Sequence, residues 1–436
     1  MTASAAPRCA IPDTPLADAA AGLDACVHCG FCMQACPTYL ALGDENDSPR
    51  GRLVLMRSLL EGDVAPSDPA LATHIDQCLG CRACESACPS GVPYGALLEA
   101  TRATLNARSG KDLPRVARLM LRVFASPTLL ALAMLSARFV RALGIPAMFA
   151  RFPGRIGFAS AMLASTPRGA PRRSYAFGDA TRGSVALLNG CVMEGLFAAT
   201  NRATERVLAA NGYRMTRVPG QRCCGALHAH AGDLEGARAL ARANIAAFEQ
   251  ATPDHIAVNA AGCGAMLKEY AHLLQDDPTW HARATQVAAR ARDVSELLAA
   301  AGPRRAEGTL RPLRVAYDPP CHLLHAQRVS SPPIATLGAA SGVELVPLAD
   351  ADQCCGGAGI YNLQHPDVSQ AVLNAKLDRI EEARVPVVAT GNPGCLMQIG
   401  AGLLRRRSRV RVAHPVDLLD AAYAAPPPVA NTHAPR

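Results

Sequence analysis

Two runs of thiols in the first hundred residues constrain the fold more than anything else in the chain. They read Cys26-x2-Cys29-x2-Cys32-x3-Cys36-Pro37 and Cys78-x2-Cys81-x2-Cys84-x3-Cys88-Pro89. Three thiolates at a spacing of three wrap one corner of an iron–sulfur cube in a tight loop, and a fourth that precedes proline reaches across to the neighbouring cube. On that rule Cys26, Cys29, Cys32 and Cys88 hold one [4Fe–4S] cluster, while Cys78, Cys81, Cys84 and Cys36 hold a second. Zinc is the competing reading, but a structural zinc ion takes two separated pairs of ligands rather than an evenly spaced triplet plus Cys-Pro, twice over. Crossed ligation makes folding depend on metal, because one lost ligand unpins both halves.

Composition narrows the alternatives. The chain has 436 residues, enough for two or three domains, and 17 cysteines. Residues Met1 to Ala20 contain no apolar run and carry Asp13 and Asp18, which is unlike a secretory signal. Thiols in a cytoplasmic chain stay reduced, so metal chemistry is expected rather than a disulfide framework. The net charge of +8 comes without an aromatic-interleaved basic patch, which argues against nucleic acid. That basicity is expected at docking surfaces for a partner or for anionic lipid. The longest uncharged stretch of the apolar middle, Val123 to Ala137, is 15 residues long, contains Pro127 and lies between Arg122 and Arg138. Crossing a bilayer takes about 20 apolar residues, so no transmembrane span is expected.

Along the chain the expected organisation is a mobile leader at 1–22, a thiol-rich domain at 23–112, a helical linker or docking region at 113–183, and two repeats at 184–310 and 311–423. A Pro-rich tail at 424–436 is expected to be disordered. The stretch Ser165 to Ser184 reads as a linker. In the repeats Cys191, Cys223-Cys224-Gly225 and Cys263 recur as Cys321, Cys354-Cys355-Gly356 and Cys395, at offsets of 130, 131 and 132 residues. One offset shared by three features marks a duplication. Strand signals at 185–188, 214–218 and 256–259 alternate with helical patterns at 196–210 and 234–250, and the order returns at 315–317, 323–340, 343–348, 367–384 and 387–390. Alternation of this kind predicts parallel α/β units. Each repeat cysteine then falls at the carboxyl edge of the sheet, where such folds place ligands. The fold class is therefore α+β multidomain: an α-helical ferredoxin domain followed by two duplicated α/β cysteine-rich domains.

The 41 residues between Cys36 and Cys78 include a helical stretch at 53–61. This makes the first module similar to the helical ferredoxin domain of succinate dehydrogenase iron–sulfur subunits. Arg50 and Arg52 in this insert read as solvated, with donors close to a cluster that would raise its potential as the alternative. Each repeat resembles the CCG domain of heterodisulfide reductase subunits, in which five cysteines bind an unusual iron–sulfur cluster. The resemblance makes Cys191, Cys223, Cys224, Cys263, Cys321, Cys354, Cys355 and Cys395 candidates for a third and a fourth cluster, with buried free thiols as the alternative. The family's fifth cysteine is replaced by Met266 and Gln398, so heterodisulfide chemistry is not expected and none of these residues is read as catalytic. Structural or surface roles are expected for His28, His228, His230, His322 and His325, and none for Cys9. No dinucleotide fingerprint, phosphate loop or nucleophile elbow is present. Substrate oxidation should then use a flavin or nicotinamide on another polypeptide.

The order of modules resembles the iron–sulfur subunits of bacterial glycolate oxidase from residue 23 to 423. Carrying the likeness are Ala25-Cys26-Val27-His28-Cys29-Gly30-Phe31-Cys32, Ala35-Cys36-Pro37-Thr38-Tyr39, Pro49-Arg50-Gly51-Arg52, Cys88-Pro89-Ser90-Gly91-Val92 and Gly262-Cys263-Gly264-Ala265 with Lys268-Glu269-Tyr270. The resemblance implies an electron carrier with two [4Fe–4S] clusters and no substrate site of its own. Its partners would be FAD-containing subunits that oxidise glycolate to glyoxylate, and its acceptor a membrane quinone. It also implies a cytoplasmic position peripheral to the inner face of the cell membrane, with 119–152 docking on lipid or on the flavin subunit unless those helices simply pack between domains. The electron-transfer subunit of anaerobic glycerol-3-phosphate dehydrogenase has a similar order of modules, and a thiol–disulfide enzyme working at the CCG pairs is the alternative from another class.

Overall fold

The structure is a computed structural model that describes residues 9–110, 113–167, 169, 173–177, 179–306 and 310–426. Its first domain is helical. Ser48 opens the helix Pro49–Glu61 by accepting the Gly51 N–H at 2.9 Å, with proline at the first position, where no N–H is needed. Gly51 has no substitute, because a Cβ there would collide with the Glu45 carbonyl oxygen. Met56, Leu59, Leu71, Ile75 and Leu97 form the core.

Residues 9–22, read above as part of a mobile leader, are packed. Ile11, Leu16 and Leu23 join that core, Ala10 N–H bonds to the Leu60 carbonyl at 2.7 Å, and Leu16 N–H reaches Thr104 Oγ1 at 3.0 Å. Ile11 and Leu16 stand five positions apart, which matches neither regular period, and Leu16 and Leu23 are a lone pair seven apart, so no run of either period marks the segment. Residues 1–8, and the tail from 427 onward, lie outside the described residues.

Each repeat carries a four-stranded parallel sheet. In the first, β1 (Ser184–Leu187), β2 (Arg214–Thr216), β3 (His255–Val258) and β4 (Ala291–Asp293) stand in the order β2-β1-β3-β4. In the second, β5 (Leu313–Tyr317), β6 (Val343–Val346), β7 (Val387–Ala389) and β8 (Arg411–Ala413) repeat it as β6-β5-β7-β8. The central strands β1, β3 and β7 are buried at nearly every residue, as strands covered on both faces must be. The fourth strand of each sheet went unread, since Ala-Arg-Asp and Arg-Val-Ala are three-residue edge strands with no apolar run.

The two repeats share a core in which Val207 and Leu298 meet Ala339, Val416 and Leu419. His414 bridges them. Its buried ring donates from Nε2 to the Asn259 carbonyl at 3.0 Å, while Nδ1 accepts the Val416 N–H at 3.1 Å. In the linker stretch, Arg173 and Tyr175 tie to Asp420 at 2.7 and 2.8 Å.

Four helices, Arg115–Ala125, Pro127–Ala142, Ile145–Phe149 and Gly154–Ala164, lie between the domains. Their inner side holds both repeats. Arg138 Nε donates to the Gly195 carbonyl at 2.6 Å, buried Arg141 reaches Thr166 Oγ1 at 2.7 Å, and Ala161 packs into the core of the second repeat. Among the described residues no single helix is long and apolar enough to cross a membrane, and the first two of these are bent by 106° at their junction.

Candidate metal centres

The two triplet loops have one backbone shape. His28 and Gly30 take left-handed φ values of 54° and 83°, and Gly80 and Arg82, at the matching positions, take 61° and 64°. Alternating right- and left-handed residues turn successive N–H groups inward, which forms a concavity for anionic sulfur. The Gly80 N–H already points at Cys78 Sγ, 3.4 Å away. One small cavity is lined by Cys26, Cys29, Cys32 and Cys88, another by Cys36, Cys78 and Cys81, and Cys84 lines both. The fourth thiol of each run thus stands beside the triplet of the other. Four thiols around each of two small cavities are the donor set of a [4Fe–4S] cluster, so the residues present fit that group.

The two sites differ in exposure and surroundings. Val27 and Phe31, beside the first loop, are 67% and 66% exposed. The second site is buried and ringed by donors. Tyr94 Oη donates to Cys78 Sγ at 3.6 Å, and burial pushes its phenol well above the usual range, so it stays a donor. Thr38 Oγ1 lies 3.2 Å from Cys36 Sγ and accepts from Arg52 Nη1 at 3.1 Å. Arg52 is not solvated as the sequence suggested. It is wholly buried, with Nε on the His74 carbonyl at 2.6 Å and Nη2 on Asp47 Oδ1 at 3.1 Å. Arg50 is the partly exposed member of the pair, reaching Glu45 Oε1 at 2.9 Å and the His28 carbonyl at 3.4 Å. Burial raises the Cys81 and Cys84 thiols well above their ordinary range and takes Cys32 up to about 11. These thiols hold their protons until a metal displaces them.

The second loop is seated between the two repeats. Cys81 packs with Cys354 and Cys321, His322 Nε2 lies 2.9 Å from the Gly80 carbonyl, and Tyr361 Oη donates to the Gln77 carbonyl at 2.7 Å. On the other side Arg82 is paired with Glu85 at 2.8 Å and with Glu269, while Arg102 bonds to the Cys78 and His230 carbonyls at 2.8 Å each. All eight repeat cysteines line a single cavity of about 980 Å³. The Sγ atoms of Cys191 and Cys223 are 3.6 Å apart. That is too far for a disulfide, at about 2.05 Å, and is the spacing that two thiolates bound at about 2.3 Å adopt on one metal ion. Hydrogen bonds from Cys191 and Cys224 pull Cys223 below the usual thiol range, and Cys321 and Cys355 do the same to Cys354. The positions of the missing fifth cysteine diverge: Met266 lines the cavity, whereas buried Gln398 is spent on Asn362 at 3.0 Å and Ser369 at 2.9 Å. Of the histidines, His28 is exposed, His230 is held by Glu99 at 2.8 Å, and His325 is held by Ser86 at 3.0 Å.

Fold and thiols together define an iron–sulfur protein of the type that joins a dicluster ferredoxin domain to paired cysteine-rich domains. Residues 22–92 match the 4Fe-4S dicluster domain, and 185–268 and 315–400 match the cysteine-rich CCG domain. The chain is 36% identical over 413 residues to the "Probable glycolate oxidase iron-sulfur subunit" of Bacillus subtilis, covering 90% of this chain and 92% of the relative. It is 34% identical over 407 residues to the "Glycolate oxidase iron-sulfur subunit" of Escherichia coli, covering 92% and 94%. A third relative, "Lactate utilization protein A" of Exiguobacterium, is 30% identical over 237 residues, 54% of this chain and 97% of its own length. The chain belongs to the family of glycolate oxidase iron–sulfur subunits, components of an oxidoreductase complex.

Proposed function

We propose that the chain carries electrons from an FAD-bearing partner that oxidises glycolate to glyoxylate to a quinone of the cell membrane, at whose inner face it sits, and that it has no substrate site of its own. Cys26, Cys29, Cys32 and Cys88 would hold one [4Fe–4S] cluster, and Cys78, Cys81, Cys84 and Cys36 a second. Bound in these places, such clusters store and release single electrons, which is what a two-electron flavin donor requires. The repeat cysteines would hold further iron–sulfur. The observation that carries the reading is that Cys81 and Cys354 are buried in one cluster, which sets the ferredoxin thiols beside the repeat thiols. Exposed Val27 and Phe31 make the first loop the face offered to the flavin partner, and Thr38, Tyr94 and Arg52 keep the second loop dry and supplied with donors.

The test is coexpression with candidate flavin subunits, followed by reduction with glycolate, lactate or glycerol 3-phosphate. Glycolate is expected to bleach the iron–sulfur absorbance, and bleaching by lactate or glycerol 3-phosphate alone would overturn the assignment. Iron and sulfide counted on oxygen-free material should reach about eight each from the ferredoxin thiols alone. Zinc without sulfide would end the redox reading.

A further inference from the structure

The cavity lined by the repeat cysteines continues beyond them. Its far end is built from the inner sides of the interdomain helices, by Ala117, Met120, Phe124, Met134, Ala159 and Met162. None of these is a metal ligand of the usual kind, and the volume of about 980 Å³ they share with the thiols exceeds what iron–sulfur at the cysteines would fill, which leaves room at this end for an organic molecule. The two ends differ in chemistry. Thiols stand at one, with His230 on Glu99 and Arg82 paired with Glu269 beside them. The other end is apolar.

The apolar end opens on an unusual surface. Pro114 and Ala159 line the cavity and are exposed, so it has one mouth among these helices, besides reaching the surface near Asn106 and His272. Ile156, one turn before Ala159 on the same helix, is 77% exposed. Around it Leu119, Leu132, Leu135 and Phe139 also face outward. Between residues 113 and 178 the chain has ten arginines and no aspartate or glutamate, and Arg115, Arg122, Arg151 and Arg155 are exposed. An apolar face edged by arginines is the composition of a helix lying flat in an anionic bilayer surface, and no single helix here is long and apolar enough to cross one.

We propose that the apolar end of this cavity is the binding site of a lipid-soluble quinone, which passes from the bilayer through the mouth between Pro114 and Ala159 and presents its ring toward the repeat cysteines. The proposal rests on the reading of the chain as a carrier of electrons to a quinone, and adds where that quinone binds. An amphiphile with a redox-active polar head and a long apolar tail matches a cavity that is polar at the thiols and apolar at the membrane. The balance closes: glycolate gives up two electrons and two protons to become glyoxylate, and the quinone takes two electrons and two protons to become quinol.

The experiment uses the complete complex in phosphatidylglycerol-containing vesicles with an azido-substituted quinone as photolabel. The label is expected on peptides spanning 113–164. Ala159→Trp, which plugs the mouth, should lower both labelling and quinone reduction at least tenfold while iron content and the reduced-state paramagnetic signal match the parent. Combined Leu132→Ser and Leu135→Ser should lower reduction of a long-chain quinone in vesicles far more than that of a short-chain quinone in solution. Ile334→Ser, an exposed apolar site elsewhere, should change neither. Label on the flavin subunit, or unaltered quinone reduction in a fully loaded Ala159→Trp complex, overturns this site and leaves the quinone reading standing. A glycolate-reduced complex that reduces no quinone overturns both. Protection of the helices by the flavin subunit in the absence of lipid shows that protein covers this face and also overturns the site.

Discussion

Arg52 offers the sharpest test of how the chain tunes its redox centres. Its guanidinium is completely buried, and Nη1 is 3.1 Å from a Thr38 hydroxyl that itself stands 3.2 Å from Cys36 Sγ. A full positive charge therefore sits at most about 6 Å from a thiolate of the second site, and an electron added to a cluster held there lies beyond that sulfur, so about 6 Å serves as the separation. With an effective dielectric constant of about 20, that charge stabilises one added electron by about 3 kcal/mol, and for a one-electron couple ~1.4 kcal/mol corresponds to ~59 mV. The ceiling is thus ~120 mV, and the neighbouring Asp47 carboxylate offsets part of it. Arg52→Met should lower the potential of the buried site by tens of millivolts up to that ceiling.

Because Arg52→Met also leaves buried Asp47 with only His74 Nδ1, at 3.1 Å, in place of the guanidinium, at a cost of up to about 3–5 kcal/mol, it should be measured beside Asp47→Asn/Arg52→Met, in which neither charge remains. Arg52→Lys keeps the charge but loses the fork, so it should retain most of the potential while losing stability. The assay is a redox titration followed by paramagnetic resonance on oxygen-free protein with full iron. If Arg52→Met holds its iron and the potential moves by less than ~20 mV, or rises, the guanidinium is a packing element and the reasoning fails.

Replacing Cys36 by Ala should remove about half of the ferredoxin iron or more, since crossed ligation couples the two sites; iron and sulfide counts check this, and undiminished counts would show that Cys36 is no ligand. Lys376 and Asp318 form an ion pair at 2.9 Å with almost no exposure, the ammonium also donating to the Asp350 and Ala351 carbonyls at 3.0 Å. Lys376→Met should destabilise the second repeat by about 3–5 kcal/mol, and adding Asp318→Asn should recover part of that in denaturant titrations. Burial takes Asp417 up to about 6, above its ordinary 3.8, so the folded chain binds this proton more tightly than the unfolded one. The partly buried carboxylate therefore costs up to about 3 kcal/mol above pH 6, and the cost disappears as pH falls toward 4. Asp417→Asn should then be the more stable protein at pH 7 and lose that advantage by pH 4; a gap in melting temperature that does not change with pH would refute this. Burial lowers His414 to about 4, so its contribution is complete above about 6.5 and is lost as pH falls toward 4, and His414→Gln should flatten the acid limb of the melting curve.

What the sequence made legible was whatever is encoded locally or by repetition. The thiol triplets were readable because a tight loop needs its ligands three residues apart, and the left-handed backbone at Gly30 and Gly80 agrees with the glycines found there. The repeats were readable because a duplicated sheet repeats its cysteine positions. Arg52 was readable only as one of two possibilities, a solvated arginine or a donor near a cluster. Its partners lie at positions 38, 47 and 74, and no helical period connects them, so an arginine in a helical stretch looked like any solvated one. The one available clue was Thr38 directly after Cys36-Pro37, a hydroxyl placed where it can touch the ligand sulfur. The cavity was invisible, because its two ends come from residues a hundred positions apart that only the tertiary fold brings together.

The divergence of the two repeats bears on where chemistry and where scaffolding reside. In the second repeat the fifth-cysteine position has become Gln398, whose amide is consumed by Asn362 and Ser369, and Ser369 in turn donates to the Gly356 carbonyl at 2.8 Å beside the cysteine pair. That network fixes the turn carrying Cys354 and Cys355, next to Cys81. In the first repeat the same position is Met266, which keeps a soft sulfur on the cavity wall and makes no polar commitment. The second repeat is thus the more rigidly wired partner of the ferredoxin loop, and the first is the more adaptable wall of the shared cavity. The repeats carry matching thiol sets, and the different residues three positions after Cys263 and Cys395, Met266 and Gln398, make them unequal.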